Sequence, residues 1–574
     1  MGFEEVLSEV GKFGRFQKLV VFLLGTSMLL RSAHVYFQLF AAVEPPHYCQ
    51  VWRDEDCSGM NITTAECESL KKELSIPSTA ANDNKTVEYE QCAQYNVTGI
   101  SLDTAVDLYD EADNSLEVIP CTDGWIFSEN SLYPSSIIAD FSLVCGSAYV
   151  MEVAQSVFFA GSLIGSPLCG LFSDMFGRRK TFLVCFLFTI VFGVALSFSS
   201  SVLMYMLLRF SLSGFIRGIG LVACVIGTEI VAPSKRLFVS NCLYIWWGFG
   251  YMLLALLAKF ISRWRLLQAV ITIPYIPIFI FAWFIVPESP RWLLAKRRAG
   301  EAEQVLHKIA RSNRRIVSDD VIAGACKLDE TAHGDGTNSA VKDLLHSPVV
   351  MTIYINMIFS CCVQSMVYYI ISFTTTSLGV DPYLSFVLTG LVEIPAFLAC
   401  AIFGESLGRR WANFIAMMLG GLCCCAIAFI PLGIWRLVAS MTGKFCISMS
   451  LSILYTWMAE LTPTPLRSSG MGFFGVSSRL GGVLTPIVLI LKDVWEPLPI
   501  LLIGSLSVLA SIFCLCVPET KGQPLPSTIR DTEQLYICRT IIGDEDDVKV
   551  SKKEQEDKQT GYTSLDLQEK EEEI

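Results

Sequence analysis

Charge is scarce in this chain. Asp, Glu, Lys and Arg make up 17% of its 574 residues against 52% hydrophobic, and the mean hydropathy is +0.49. An ordinary soluble protein of this length is excluded. There are five histidines, and no Cys/His spacing fits a metal site. A nucleophile–base set and a phosphate-cradling glycine loop are missing too, so an enzyme is not expected, nor a cofactor. Nothing points to nucleic acid. The alternating ten-residue segments of a membrane barrel are also lacking. No cleavable signal peptide is evident: a basic start with Lys12, Arg15 and Lys18 runs directly into a full-length apolar run. The first helix is therefore expected to be the targeting element.

Apolar runs are abundant. They fall near 19–42, 148–172, 181–200, 202–228, 239–261, 266–286, 349–372, 383–403, 412–433, 436–459, 468–491 and 498–517. Each is close to the ~20 residues that cross a ~30 Å hydrocarbon core. Backbone facing lipid must be satisfied within the segment, so these are helices. The spacing predicts an all-α membrane protein with twelve transmembrane helices, six on each side of a polar stretch at 287–347.

Three signatures recur, and each pair is separated by 231 residues. Asp174-Met175-Phe176-Gly177-Arg178-Arg179 returns as Glu405-Ser406-Leu407-Gly408-Arg409-Arg410. Glu229, followed by Pro233 and Arg236, returns as Glu460 and Arg467 with Pro463 one residue out of register, and Val286-Pro287-Glu288 returns as Val517-Pro518-Glu519. Three matches in one register mean an internal duplication. The chain is thus read as two pseudo-symmetric six-helix halves, 19–286 and 348–517. They are flanked by a cytosolic N-terminus 1–18, a linker 287–347 and an acidic tail 518–574. Ala302, Val305, Leu306 and Ile309 predict amphipathic helices in the linker.

Basic clusters at Arg178-Arg179-Lys180, Lys235-Arg236, Arg409-Arg410 and 291–315 share one membrane side with the N-terminus. The positive-inside rule makes that side cytoplasmic, with both termini there. Lys259, Arg263 and Arg265 are a partial exception. The net charge of −12 comes from two appendages: segment 43–147 has 4 basic and 19 acidic residues, and 531–574 has 6 and 14. Segment 43–147 is too long for a linker and is expected to be a small extracellular domain. It holds glycosylation sequons at Asn61, Asn84 and Asn96 and six cysteines, Cys49, Cys57, Cys67, Cys92, Cys121 and Cys145. Three disulfides are expected, with fifteen connectivities open. Oligomerisation through this loop is also open.

The duplicated turns have the chemistry of a latch. Gly177 and Gly408 permit a reversal. Asp174 and Glu405 can accept from an arginine or a helix N-terminus, and Arg178, Arg179, Arg409 and Arg410 hold the turns inside. With Glu229, Arg236, Glu460 and Arg467 they form the candidate gating set, able to bias a two-state motion.

Gly170-Leu171-Phe172-Ser173-Asp174-Met175-Phe176-Gly177-Arg178-Arg179-Lys180 resembles the loop 2–3 signature of the major facilitator superfamily. Pro287-Glu288-Ser289-Pro290-Arg291-Trp292-Leu293 is similar to a motif of its sugar porters and organic-ion transporters. Gly14-Arg15-Phe16-Gln17, Pro120-Cys121-Thr122-Asp123-Gly124-Trp125 with Leu143-Val144-Cys145, and Gly443-Lys444-Phe445 leading to Ala459-Glu460-Leu461 resemble its organic cation/anion/carnitine branch. Sugar porters lack the large cysteine-bearing first loop. The resemblance, over about residues 10–526, implies the major facilitator fold and a plasma-membrane transporter of small organic ions.

Ionisable residues inside the bundle are costly in lipid and mark function or pairing. Glu393 resembles the span-8 pattern of cation and carnitine transporters, and could meet a substrate ammonium or pair with a buried Arg or Lys. Arg479 stands where the family's cation carriers tend to have Asp and its anion and carnitine carriers Arg; it is suited to grip a carboxylate. Phe397 departs from the Lys that anion carriers often have. Tyr244, Tyr368 and Tyr455, with Trp246, Tyr36 and Phe37 nearby, are candidate rings for an organic cation. Arg31, His34, Arg209, Arg217 and Lys444 are expected to be interhelical partners. The expected substrate is a small organic cation or zwitterion, carnitine-like, with an organic anion exchanger as the alternative and a non-transporting receptor or scaffold behind both. The sequence leaves the coupling ion, sodium or proton, open.

Overall fold

The computed structural model describes residues 3–52, 63–80, 87–97, 100–102, 104–105, 117–127, 135–319, 321–324, 326, 347–463, 467–523, 526 and 531–533. Eleven helices among them are long and apolar enough to cross a membrane. They are span 1 (Arg15–Ala41), span 2 (Val150–Phe176), span 3 (Arg178–Leu196), span 4 (Val202–Glu229), span 5 (Arg236–Phe260), span 6 (Trp264–Ile285), span 7 (Pro348–Phe373), span 8 (Pro382–Ser406), span 9 (Arg409–Ile427), span 10 (Ile434–Leu461) and span 11 (Arg467–Leu489). The twelfth apolar run is the helix Leu498–Cys514, here span 12, whose 17 residues sit at the short end of what spans a bilayer. Span 6 is two helices, Trp264–Thr272 and Tyr275–Ile285, parted where Pro274 removes a backbone donor. Within the first unit, the end bearing segment 43–147 is called the loop face and the end with the Gly177 turn the turn face; in the second unit the turn face is the end with the Gly408 turn.

The chain divides into two compact units. The first is Met1–Glu330 with Phe373–Leu391 and Pro486–Asp493. One close helix contact uses the Gly161-Ser162-Leu163-Ile164-Gly165 stretch of span 2. A Cβ on Gly165 would stand 2.8 Å from the Gly214 carbonyl oxygen of span 4, and one on Gly161 would collide with the Phe210 carbonyl. Two glycines four apart strip one helix face to backbone, and dispersion contacts then replace a hydrophobic drive that lipid cannot supply. Ser162 and Ser213 share a hydrogen bond of 2.6 Å in the same seam.

Among its described residues, segment 43–147 forms three small antiparallel ribbons. They pair β1 (His47–Cys49) with β6 (Trp125–Phe127), β2 (Ser78–Ala80) with β3 (Val87–Tyr89), and β4 (Ala93–Tyr95) with β5 (Val118–Pro120). Disulfides join Cys49 to Cys121 and Cys92 to Cys145, and Cys67 is disulfide-bonded as well. Cys57, Asn61 and Asn84 lie outside the described residues, while Asn96 is half-buried beyond β4. Asp140 anchors this segment to span 6, accepting from Trp264 Nε1 at 2.9 Å and pairing with Arg265.

On the turn face the helices Phe3–Gly11 and Ala299–Ser312 share a core of Phe3, Val6, Leu7 and Val10 with Ala302, Leu306 and Ile309. Asn313 ties them to span 1, accepting from Phe16 N at 3.0 Å and donating to Val10 O at 3.1 Å. Glu4 pairs with Arg236 at 2.8 Å and with Arg291.

The second unit is Thr331–Ser372, Val392–Thr485 and Val494–Ile574. A polar knot joins spans 7, 9 and 10: Gln364 Nε2 donates to Ser450 Oγ at 2.6 Å and to Asn413 Oδ1 at 3.2 Å. Small residues again set the approach, with a Cβ on Gly421 standing 2.9 Å from the Gly504 carbonyl of span 12.

Gly165→Leu should cut the monodisperse protein recovered in detergent roughly tenfold, because span 4 backbone blocks the side chain. Gly300→Ala, which would meet nothing within 4 Å, should leave the yield unchanged.

Candidate functional site

The duplicated signatures build the same cluster twice, once at the turn face of each unit. Gly177 and Gly408 have φ of +107° and +84°, a region that an L side chain disfavours. A Cβ at either would also stand 2.5 Å from Glu288 Oε2 or 2.6 Å from Glu519 Oε2. The bare turn thus lets one carboxylate reach the exposed amides of the following helix. Glu288 Oε1 accepts from Arg178 N at 2.7 Å and Arg179 N at 3.1 Å. Glu519 accepts from Arg409 N and Arg410 N, both at 2.9 Å. A carboxylate at a helix N-terminus meets both unpaired donors and the positive end of the dipole, worth about 0.3–2 kcal/mol. Each first arginine then turns to a second acid: Arg178 Nε lies 3.3 Å from Glu229 Oε2, and Arg409 Nη2 3.0 Å from Glu460 Oε1.

The two copies are not identical. Asp174, 71% exposed at its side chain, pairs with Arg178 at 2.7 Å. Glu405 is exposed and has no ion-pair partner among the described residues. Arg179 donates to the Trp283 carbonyl at 2.5 Å, whereas Arg410 is buried and lies 5.5 Å from the Trp411 ring centroid. Arg236 turns to Glu4, and the Arg467 side chain lies outside the described residues. Glu288 and Glu519 were absent from the candidate gating set although the 231-residue repeat contains both.

In the first unit, aromatic rings gather toward the loop face. Tyr251 donates to the Tyr36 hydroxyl at 2.6 Å, and Phe386 stands 5.6 Å from the Tyr36 ring and 5.0 Å from that of Tyr251. Phe40 and Tyr383 stack at 5.5 Å. Tyr36 and Phe37 are fully buried, and Phe37 is 5.9 Å from the Arg209 guanidinium. Tyr244 is 48% exposed. Trp246 does not join it: two residues are about 200° of helix, and Trp246 packs instead against Gly25 and Phe22 of span 1. Trp247 takes the place by phase, 6.2 Å from Tyr36 and 4.6 Å from the Arg31 guanidinium.

In the second unit, Glu393 and Lys444 are fully buried and paired at 3.0 Å. Tyr368 donates to Glu393 Oε1 at 2.6 Å, and Lys444 Nζ lies 3.2 Å from the Tyr368 ring centroid and 2.7 Å from Ser372 Oγ. Span 11 carries Arg479 half-buried, with Nε unpaired and no ion-pair partner among the described residues. Gly472 and Gly475 share its helix face at i−7 and i−4, and a Cβ on either would meet nothing within 4 Å. That face opens onto free space. Tyr455 packs edge-on against Phe474 at 4.9 Å.

Twelve apolar helices carrying two acid–arginine turn clusters have the make-up of a membrane transporter. The Major Facilitator Superfamily model matches residues 127–486. Human solute carrier family 22 member 13 is 34% identical, covering 92% of this chain and 93% of its own. Human organic cation/carnitine transporter 2 is 32% identical, with 92% and 93% covered, and rabbit solute carrier family 22 member 6 is 30% identical, with 93% and 94%. The inward-open xylose transporter XylE of E. coli matches in fold at a TM-score of 0.56 and 17% identity, over 70% of this chain and 93% of its own. The chain belongs to the Major Facilitator Superfamily, within solute carrier family 22. It is a multi-pass membrane transporter of organic ions.

Lys444→Met should leave Glu393 buried without its cation, a cost of about 3–5 kcal/mol. Thermal unfolding in detergent should therefore show a lower midpoint for Lys444→Met, and the double variant Lys444→Met/Glu393→Leu should recover most of the loss.

Proposed function

We propose that this protein carries small organic ions bearing a carboxylate across the plasma membrane by alternating access, zwitterions of the carnitine kind included. One observation carries the reading: the Glu393 carboxylate is engaged by Lys444 and Tyr368, whereas Arg479 has no counter-ion among the described residues. A guanidinium on an open helix face can take a carboxylate by two parallel hydrogen bonds. The charge that made a substrate ammonium attractive at Glu393 is spent inside the protein, so a purely cationic substrate loses its main support. The name of one relative is that of a carnitine transporter and another's that of an organic cation transporter; the first lends support to a zwitterion. An organic anion exchanger is the second reading, favoured by the same Glu393–Lys444 neutralisation.

The turn clusters are read as the latches of the transport cycle, since each ties two spans through one arginine and can hold in one state and release in the other. The basic turn face is read as cytoplasmic, with both termini there, and segment 43–147 as extracellular and glycosylated.

Uptake into cells measures this. Carnitine or p-aminohippurate should accumulate and tetraethylammonium should not. Arg479→Ala at normal surface level should lower carboxylate uptake roughly tenfold to hundredfold, the worth of a charge-assisted hydrogen bond. Tetraethylammonium uptake indifferent to Arg479→Ala would overturn the proposal.

A further inference from the structure

The interior of spans 1–6 holds arginine and no carboxylate. Arg31 lies in span 1 and Arg209 and Arg217 in span 4, while the acids of these spans sit near their ends, at Glu152, Asp174 and Glu229. Arg209 is accounted for. It donates to His34 O at 3.0 Å and Gln155 Oε1 at 2.8 Å, with the Phe158 ring 4.1 Å away. Arg217 is not. The expected interhelical partner is missing: among the described residues Arg217 makes no hydrogen bond or ion pair, and its Nε is buried. A cation kept in the hydrocarbon region with neither partner nor full burial marks a place where a ligand or water enters.

The neighbourhood is built for a negative charge. Three residues along the same face of span 4, the Arg31 guanidinium lies over Gly220, where a Cβ would stand 2.6 Å from Nη1. Two cationic heads therefore share one helix face. From span 5, Trp247 supports Arg31 at 4.6 Å. Tyr244, one turn before it and eight residues inside the helix, is 48% exposed. An exposed phenol at that depth borders open space, and both it and Cys224 lie within Coulombic reach of Arg31 and Arg217.

We propose that Arg217, with Arg31 and Tyr244 beside it, forms a second anion-binding site wholly within the first unit. It takes a singly charged anion, either a carboxylate of the transported ion or chloride from the medium. Only the first source rests on the function proposed above. The geometry assigns Arg217 the direct contact, Arg31 the supporting charge and Tyr244 a hydroxyl donor.

Purified full-length protein in sulfate buffer provides the test, read as the thermal-unfolding midpoint during titration with sodium chloride or sodium benzoate. The wild type should be stabilised saturably by at least one of them. A chloride response alone names the medium ion, and a benzoate response alone names the carboxylate. Arg217→Gln should raise the half-saturating concentration about tenfold or more, whereas Arg479→Ala should leave a response in place. Arg217→Lys keeps the charge but loses the paired donors, and should weaken the response without abolishing it. No response in the wild type, or an unchanged half-saturation in both Arg217 variants, would overturn the proposal. Because binding is read without transport, a failed uptake prediction for Arg479 leaves this result interpretable.

Discussion

A charge taken out of water has to be met by an opposite charge, by aligned dipoles or by the face of a ring, and a bilayer interior offers little else. Each buried ion here uses a different mixture. Lys444 has all three: the Glu393 carboxylate, the Ser372 hydroxyl and the Tyr368 ring. Arg209 uses a carbonyl, an amide and a ring. On the turn face, Glu288 and Glu519 are held by helix amides, and this leaves Arg178 and Arg409 to reach across to Glu229 and Glu460. Arg217 and Arg479 have no such partner among the described residues, and they are the arginines given direct contact with a ligand.

The duplicated clusters tie together parts that are distant in sequence but fixed in register. Each arginine lies 51 residues from its acid partner in both units, and each capping carboxylate lies 110 residues from the amide it receives. A duplication that preserves both intervals preserves the whole wiring. Its imperfections are informative: Asp174 adds a second acid to Arg178, and Glu405 adds none to Arg409. The two clusters thus differ by one largely exposed ion pair.

Much of this was legible in the residues. Apolar run length marked all twelve helices, because crossing a bilayer is a local requirement written contiguously. The 231-residue repeat marked the turns and contained Glu288 and Glu519, whose capping role needed the folded turn to become visible. Pairing inside the bundle was less legible. That Glu393 meets Lys444 rather than Arg479 depends on how spans 8, 10 and 11 are rotated, and a hydropathy pattern carries little of that phase. Trp246 shows the opposite case: helical phase alone separates it from Tyr244, and Trp247 was the readable neighbour.

The Cys49–Cys121 bond joins the chain a few residues beyond span 1 to a point well along the segment leading to span 2. It turns the intervening stretch into a covalent ring pinched at its neck. The chain path through that neck is set there, whatever the length of the ring. Insertions inside it alter closure entropy only logarithmically. The Cys92–Cys145 bond then ties a point inside the ring to the chain just before span 2, so chain length can change between the tethers without moving them.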